Sequence, residues 1–428
     1  MVIVNRDELA AGDRFREDAL DIVEAGLKAC KVENIMGSVV EEDRICVEGV
    51  EYRVQDYERV HVVGFGKASG SMACELESRW RDRIADGVVI SYPNPGCRAI
   101  RVLEGTHPMQ SEGNIRASEE LLDIVSNAGE RDLIVCLISG GGSAMFTKPV
   151  ADIALEDLVR TNRLLLDSGG DINEINAVRK RIDYVKGGGL ARACNCKVVS
   201  LIISDVVGDR LDVIASGPTV RDSTTFEEAI GVLEKYGLED RVPRRVLEWL
   251  REGVESERED GEGFEHVSNH VIGGNGTARK AAADCAAELG YDVIDRGESE
   301  GEARELGGEH ARRLEGCGKR TMLLSGGETT VTVTGTGKGG RNQDYVLGFL
   351  AQAKTPFVVC AVDTDGIDGY TDAAGALADH RTLENGLDPR EYLKDNDPYN
   401  FFKQSNSLVF TGKTGTNVND LRVAIKPG

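Results

Sequence analysis

Short apolar runs alternate with helical stretches along nearly the whole 428-residue chain, and this alternation constrains the fold more than any other feature. The runs VHVVGF (60–65), LIVCLIS (133–139) and VVSLIIS (198–204) are continuously apolar, as expected of strands that helices cover on both faces. A strand–helix–strand alternation of this kind predicts a parallel, doubly wound α/β layer.

A charged segment spaced by glycines, GVESEREDGEGFEH (253–266), interrupts the pattern. The alternation resumes after it, with HVIGG, TMLLSGG, TTVTVTG, FVVCAVDTDG and SLVFTG as the next candidate strands. Two α/β domains, spanning 1–255 and 266–428, are therefore favoured over one large domain with a surface loop.

Charge and composition exclude several classes of protein. The chain has 51 Lys and Arg against 73 Asp and Glu, a net charge of −22, which argues against a non-specific nucleic-acid or anionic-membrane binder. No apolar run approaches the roughly 18–20 residues of a membrane helix, and the first residues show no secretory signal. The ten cysteines are scattered without a paired framework, so we expect free thiols in a reducing cytoplasm.

Glycine-rich turns follow two of the strands. In the first, Lys67 stands at a helix start, where an ammonium and free N–H groups can hold an anion. This turn is not the dinucleotide fingerprint, whose third glycine would fall at Ser69. In the second, three consecutive glycines remove every β-carbon, so the backbone can wrap around phosphate oxygens. The predicted nucleotide-binding residues are Gly64, Gly66, Ser139, Gly140, Gly141, Gly142 and Ser143.

Acidic residues follow two further strands. Asp205 could hold Mg²⁺ or accept a hydroxyl proton, and a turn-forming or helix-capping role is equally favoured. Asp363, Asp365 and Asp368 alternate after FVVCAV and would repel one another unless a cation or donors compensate them. We interpret these three acids as ligands of a Mg²⁺ ion that bridges a nucleotide.

The remaining candidate residues, three cations and one amide, fall in two segments. Arg341 and Asn342 begin a helix in GGRNQD, while Arg179 and Lys186 belong to a local cluster of positive charge. This cluster resembles an anion-binding wall, although a salt-bridged helix surface is an alternative. His107 stands before a proline and could be a catalytic base, but a structural hydrogen bond is the favoured role for it.

Ten motifs occur in order along the chain: VVGFGKAS, THPM, ISGGGSA, EINAVRK, KGGGLA, SDVVGD, IASGPT, GGRNQD, DTDGIDGYTDAAGA and TGKTGTNVNDL. With them the chain resembles, from about residue 15 to 425, the glycerate 2-kinase family, the class II glycerate kinases with a C-terminal MOFRL domain. The resemblance implies ATP-dependent phosphorylation of D-glycerate at its 2-hydroxyl, with Mg²⁺, giving 2-phosphoglycerate and ADP. It also implies an N-terminal Rossmann-like domain with a doubly wound, mostly parallel sheet, a smaller C-terminal α/β domain, and an active site in the cleft between them.

The resemblance also assigns roles to residues. Lys67 and Arg341 match the family's active-site cations, and Asp205 matches an acid that is a candidate base or metal holder; these are the predicted catalytic residues. We predict Arg179, Lys186 and Asn342 as substrate-binding residues. The chain departs from the family at two motifs. It has RKRID (179–183) where the family more often has RKHLS, and THPMQSE (106–112) where the family more often has GHPVPDE. These differences bear on the range of substrates more than on the type of reaction. A hydroxypyruvate reductase and a non-catalytic protein that binds nucleotides or sugar acids are the alternatives, and a homo-oligomer is left open.

Overall fold

The computed structural model of the chain describes residues 2–150, 152–256 and 264–428. The chain divides into two compact units. We call residues 36–272 the middle unit, and residues 1–35 together with 273–428 the terminal unit.

The secondary-structure elements are numbered in chain order. The strands are β1 (Arg44–Val47), β2 (Val50–Arg53), β3 (Val60–Phe65), β4 (Ile84–Ser91), β5 (Arg101–Glu104), β6 (Leu133–Ser139), β7 (Lys197–Ile203), β8 (Val267–Gly273), β9 (Asp292–Glu298), β10 (Thr321–Gly327), β11 (Val358–Asp363), β12 (Gly375–Asp379), β13 (Leu408–Val409) and β14 (Asp420–Lys426). The helices are α1 (Arg6–Ala10), α2 (Arg14–Ala29), α3 (Val32–Val39), α4 (Ser69–Trp80), α5 (Glu112–Asn127), α6 (Gly142–Met145), α7 (Leu155–Asp167), α8 (Ile172–Ile182), α9 (Gly189–Arg192), α10 (Phe226–Lys235), α11 (Arg244–Ser256), α12 (Asn275–Glu288), α13 (Ala303–Glu315), α14 (Arg341–Gln352), α15 (Pro389–Lys394) and α16 (Pro398–Gln404).

The middle unit contains a six-stranded sheet with the order β5-β4-β3-β6-β7-β8. Each pair from β5 to β7 is parallel. The central strands β3 and β6 are buried at every position, because α4 and α5 pack against this sheet. The predicted parallel α/β layer is confirmed, and the runs VHVVGF and LIVCLIS coincide with β3 and β6.

Short polar side chains fix the starts of several helices in this unit. The carboxylate of Asp171 accepts N–H groups from the first turn of α8, while Glu174 accepts the N–H of Asp171 in return. Thr225 and Glu228 form the same reciprocal capping box at the start of α10. Such caps satisfy N–H groups that have no partner inside the helix, and each contributes about 1 kcal/mol.

The terminal unit contains a second six-stranded sheet, with the order β13-β12-β11-β14-β10-β9. The pair β9–β10 is parallel, whereas the other four pairs are antiparallel. Helix α14 packs on this sheet through Tyr345, Val346 and Phe349, which belong to a fully buried apolar cluster. The unit is therefore an α/β domain, as predicted, with a mixed sheet.

The segment TTVTVTG (329–335) forms no strand, which corrects the sequence-based assignment. Thr330 makes an isolated bridge with Glu302, and its N–H donates to the carbonyl of Gly301 at 2.8 Å. Beyond it, the N–H groups bond to side chains: those of Thr334 and Gly335 donate to Asn396 Oδ1, each at 2.8 Å, and that of Thr332 donates to Glu302. The alternation of threonine and valine is typical of a strand, but these acceptors take the place of a neighbouring strand.

The division into units differs from the predicted one, which kept residues 1–255 together. Helix α2 packs against α12 and β14, where Gly26 lies close to Leu421 and Ala278. The N–H of Val4 also donates to the carbonyl of Phe410 at 2.7 Å. The first 35 residues therefore belong with the C-terminal part of the chain. Of the predicted charged linker 253–266, residues 257–263 lie outside the described residues, and 253–256 continue α11.

Cys74 of α4 and Cys97 form a disulfide bond, with their Cα atoms 5.2 Å apart. The prediction of free thiols is therefore wrong for this pair and holds for the other eight cysteines. Cys74 and Cys97 are 23 positions apart, and no spacing pattern in the sequence pairs the cysteines. Only the folded structure shows that these two are neighbours. Among the described residues, every helix falls short of the length or the apolar character needed to span a membrane.

Candidate active site

The glycine-rich turns after β3 and β6 contact each other in the middle unit. The N–H of Lys67 donates to the carbonyl of Gly140 at 2.9 Å, and the N–H of Ala68 donates to Ser139 Oγ at 3.0 Å. Gly66 has a φ of +127°, and a β-carbon there would overlap the carbonyl and hydroxyl oxygens of Ser139. Because β3 and β6 are parallel neighbours, both turns stand at the same edge of the sheet, which is where α/β proteins bind ligands.

Three titratable side chains surround the consecutive glycines. A β-carbon at Gly140 would overlap the carboxylate of Asp205. At Gly141, which has a φ of +83°, a β-carbon would stand 3.3 Å from Lys67 Cγ and 3.2 Å from His107 Cδ2. The missing side chains of this loop thus leave room for a carboxylate, an ammonium and an imidazole. Two of these groups, Asp205 and Lys67, were predicted as catalytic.

A strained segment borders the same loop. Ala215 and Ser216 have φ values of 50° and 62°, in the left-handed region that side chains disfavour. The hydroxyl of Ser216 lies 3.0 Å from that of Ser143 and donates to Asn176 Oδ1 at 3.2 Å. Such strain persists only where surrounding contacts enforce it, and it is concentrated at functional sites.

Lys186 points into the protein and contacts the glycine-rich loop that follows β6 (139–143). Its side chain is buried, and Nζ donates to the carbonyl of Ser143 at 2.8 Å and to the carbonyl of Phe146. Burial lowers its pKa to about 8, although the carboxylate of Asp183, 3.8 Å away, opposes this shift. Lys186 was predicted to bind substrate; its contacts instead hold the loop in place.

The other cations near α8 are partly neutralised. Lys180 and Arg181 each lie 3.4 Å from the carboxylate of Asp222, as in the salt-bridged alternative. The Nε of Arg179 donates to Asn162 Oδ1 at 3.2 Å, and the guanidinium makes no further hydrogen bond to the described residues. Burial lowers the pKa of Arg179, and Asp183 partly offsets that shift. Of this cluster, Arg179 is the cation most available to an anionic ligand.

In the terminal unit, three carboxylates surround Arg341 at the start of α14. Its Nε, Nη1 and Nη2 lie 2.8 Å from Asp420, 2.6 Å from Glu328 and 3.0 Å from Asp363, respectively. Burial alone would lower the pKa of Arg341, but the three carboxylates raise it overall. The sequence reasoning missed Asp420, whose signal is an acid at the first position of a strand, β14, that is buried as far as Ile425.

The three predicted magnesium ligands do not form a ligand set. Both carboxylate oxygens of Asp368 accept backbone N–H groups from the first turn of α14, and burial raises the pKa of this residue to about 7. Asp363 pairs with Arg341, while Asp365 accepts the N–H of Ile367 at 2.8 Å. Within residues 2–150, 152–256 and 264–428, no group of three His, Cys, Asp or Glu side chains is arranged to hold a metal ion. These acids therefore do not fit a resident Mg²⁺.

Asn342 is also buried, which does not suit the substrate contact predicted for it. Its Nδ2 donates to Asp420 at 2.7 Å and to Asp368 at 3.3 Å. Gly64 of the predicted nucleotide loop lies inside β3, where a β-carbon would come 2.5 Å from the carbonyl oxygen of Leu137. Both residues support the framework of the site.

A cavity of about 410 Å³ lies beside Arg341 in the terminal unit. Lys338 and the glycines of the 337–340 loop form part of its wall, together with the largely exposed side chains of Val333 and Tyr370. Asp344 also lines this cavity, whose size and largely apolar walls suit a small organic ligand.

Each unit therefore gathers its own share of the predicted residues. The middle unit contains Lys67, Asp205, Arg179, Lys186, Gly64, Gly66, Ser139, Gly140, Gly141, Gly142 and Ser143, and the terminal unit contains Arg341, Asn342, Asp363, Asp365 and Asp368.

Two family models match the chain. Residues 18–251 match a domain of unknown function, DUF4147, and residues 321–420 match the MOFRL family. A glycerate 2-kinase of Pyrococcus horikoshii is 40% identical over 431 residues, which cover 96% of this chain and 97% of that protein. A protein of Agrobacterium vitis, provisionally named a hydroxypyruvate reductase, is 40% identical over 86% of this chain and 87% of its own length.

A solved structure has the same fold. The crystal structure of a glycerate kinase from Thermotoga maritima matches with a TM-score of 0.85 and 36% identity, covering 96% of this chain and 99% of that one. With both family models matched in order and near-full-length identity to a glycerate 2-kinase, the chain belongs to the glycerate 2-kinase family, which joins a DUF4147 domain to a MOFRL domain.

Proposed function

We propose that this chain transfers the γ-phosphoryl group of ATP to the 2-hydroxyl of D-glycerate, giving 2-phosphoglycerate and ADP in the cytoplasm. The observation that carries this proposal is the position of Lys67, whose exposed side chain lies along Gly141 in a loop without β-carbons. Phosphoryl transfer needs little covalent help from a protein; it needs positioning and positive charge around the transferred group.

The loop after β6 provides the positioning in this proposal. Its three glycines let phosphate oxygens approach the backbone closely, and the hydroxyl of Ser143 is a further donor at the end of the loop. Lys186 holds the carbonyl of Ser143 from the buried side, so that the loop keeps its shape when a polyanion binds. Lys67 then neutralises the negative charge on the transferred phosphoryl group.

Arg341 is the second cation of the proposal. Asp363 and Asp420 are buried and hold two edges of its guanidinium, while its Nη1 pairs with the half-exposed Glu328. This arrangement fixes the direction in which the planar group can meet an anion. No step is assigned to a resident Mg²⁺, because Asp363, Asp365 and Asp368 are otherwise engaged.

Replacing either cation tests the proposal. We expect Lys67→Ala and Arg341→Ala each to lower kcat by about 10²-fold or more, the typical loss when one transition-state contact is removed. ADP release that depends on D-glycerate measures turnover, and ³¹P NMR of the product identifies the phosphorylated hydroxyl. Lys280→Ala, at an exposed lysine of α12 paired with Asp284, is the matched control and should leave kcat unchanged. Near-normal turnover in both site variants would remove these residues from the chemistry.

The name of the Agrobacterium vitis relative gives a second candidate function, a hydroxypyruvate reductase. This candidate predicts oxidation of NADH in the presence of hydroxypyruvate without any need for ATP. A non-catalytic nucleotide-binding or sugar-acid-binding protein would instead bind ATP without consuming it. Parallel assays of ADP release, NADH oxidation and ATP binding on one preparation distinguish the three functions.

A further inference from the structure

One buried side chain, that of Asn114, fixes the loop that carries His107 to the glycine-rich loop that follows β6. Asn114, at the start of α5, is fully buried, and its Oδ1 accepts the N–H of Thr106 at 2.8 Å. Its Nδ2 donates to the carbonyl of Thr106 at 3.0 Å and to the carbonyl of Ala144, just past the glycines, at 2.9 Å. The backbone next to His107 is therefore held in register with α6.

These contacts fix the backbone beside His107, which is itself an exposed residue. Its Cδ2 stands 3.2 Å from the position of a β-carbon on Gly141, beside the side chain of Lys67. In the described part of the chain, neither ring nitrogen of His107 has a hydrogen-bond partner, so the structural bond favoured from the sequence is not found.

Most of the other histidines show what a structural role looks like. In four of them a ring nitrogen lies within 3.4 Å of a hydrogen-bond partner. The pairs are His61 with Asp132, His266 with Ala191, His270 with Tyr52 and Glu48, and His310 with Tyr345. His107 differs from these four in having free ring nitrogens among the described residues, on an exposed side chain beside Gly141 and Lys67. A ring in that position can accept a proton from a ligand bound at the loop.

We propose that His107 is the general base that accepts the 2-hydroxyl proton of the acceptor, a step that rests on the proposed kinase function. The hydroxyl oxygen forms a bond to the γ-phosphorus while the bond from that phosphorus to the bridging oxygen of ADP breaks. The hydroxyl proton passes to a ring nitrogen of His107, which releases it to solvent after the products leave. No atom changes oxidation state, and no further reactant is needed.

Electrostatics favour the neutral ring that this role needs. Partial desolvation and the nearby ammonium of Lys67 lower the pKa of His107 below its ordinary value of 6.5, which favours the neutral ring at pH 7. Lys67 is the charged group that acts on the ring among the described residues, and Asp205 lies across the adjacent Gly140. Because the base must be unprotonated, kcat/KM should rise with pH through the pKa of His107 and level off above it.

The pH dependence of the wild type and of His107→Gln is the first measurement. We expect the acid limb of kcat/KM to have its midpoint below 6.5 in the wild type. In His107→Gln that limb should disappear and kcat should fall about 10²-fold or more, while KM for ATP changes little. His380→Gln, at an exposed histidine of the terminal unit, is the matched control and should keep the wild-type profile.

Chemical rescue is the second measurement, and it separates a base from a structural residue. His107→Ala should regain at least about tenfold of its lost activity in millimolar imidazole, in proportion to the unprotonated imidazole present. Asp205→Asn should keep the acid limb, because in this proposal Asp205 is not the base. Loss of the limb in Asp205→Asn, but not in His107→Gln, would transfer the assignment to Asp205 and overturn the proposal.

Four other outcomes would contradict the role of His107 as the base. A folded His107→Ala that imidazole does not rescue excludes a base at this position. A raised KM for ATP with an unchanged kcat makes His107 a phosphate contact, and a lowered Tm with the wild-type pH profile makes it structural. A wild type that releases no ADP with D-glycerate refutes the kinase function itself, whereas a normal wild type with a normal His107→Gln refutes this inference alone.

Discussion

At the scale of single residues, the shape of the Arg341 side chain should matter as much as its charge. Arg341→Lys keeps the positive charge, but it replaces a planar group with three nitrogens by a single ammonium. That ammonium can contact only some of the three carboxylates of Asp420, Glu328 and Asp363. If Arg341 acts as proposed, kcat should fall about 10²-fold, as for the alanine variant, because a lysine lacks the planar fork that would contact the transferred group. Steady-state kinetics of the lysine and alanine variants, compared side by side, measure this.

The same variant should be less stable. A buried carboxylate left without its partner costs about 1–3 kcal/mol. Asp363 is buried and pairs with Arg341, whereas Asp420 keeps its contacts with Arg422 and Asn342. Urea unfolding of Arg341→Lys should therefore show a lower free energy of unfolding than the wild type. A lysine variant with full turnover and full stability would mean that a positive charge alone is required here.

Turns that depend on local sequence could be predicted, and contacts between residues far apart in the chain could not. The turn with Lys67 and the glycines of 140–142 follow buried strands directly, so the contiguous pattern indicates the site. Asp420 is bonded to Arg341 across 79 positions, and Asn114 to Ala144 across 30. Nothing in a single sequence pairs such positions, so one acid was missed and Lys186, a loop support, was taken for a substrate contact.

At the scale of elements, the strands of the middle unit follow the apolar runs because helices cover both faces of that sheet. The terminal sheet is mixed, and its order of strands does not follow from alternation alone. The segment 329–335 has the pattern of a strand, yet Asn396 and Glu302 take up its N–H groups. A pattern of period two indicates an extended backbone, but only the fold decides whether a neighbouring strand is present.

The link between α4 and the loop that follows β4 gives a prediction at this scale. Besides the disulfide of Cys74 and Cys97, the carboxylate of Glu77 accepts the N–H groups of Arg98, Ala99 and Ile100. Cys97→Ser should lower the free energy of unfolding under oxidising conditions by about 2–4 kcal/mol, the usual effect of opening a loop of this length. A reducing agent should lower the Tm of the wild type and leave that of the variant unchanged. Equal sensitivity of the two proteins would contradict a formed disulfide.

At the scale of the whole molecule, the first 35 residues belong to the same compact unit as residues 273–428, and we expect the two segments to unfold together. The contact of Gly26 with Leu421 and Ala278 carries this assignment: a β-carbon at Gly26 would come 2.5 Å from Leu421 Cδ2 and 3.0 Å from the carbonyl oxygen of Ala278. A helical glycine that packs this closely cannot accept a larger side chain without moving the strand or the helix beside it.

Gly26→Val tests this assignment in the full-length chain. Overpacking typically costs about 1–3 kcal/mol, more than the helix propensity that valine gains over glycine. We expect faster hydrogen exchange in α12 and β14 and an unchanged rate in residues 36–272, because local opening follows cooperative units. Gly231→Val is the matched control, since Gly231 lies in helix α10 of the middle unit with no atom within 4 Å of an added β-carbon. Exchange that rises in residues 36–272 alone would place the N-terminal helices with the middle unit, as the sequence-based division at residue 255 did. An equal rise in both units would contradict two separately opening units.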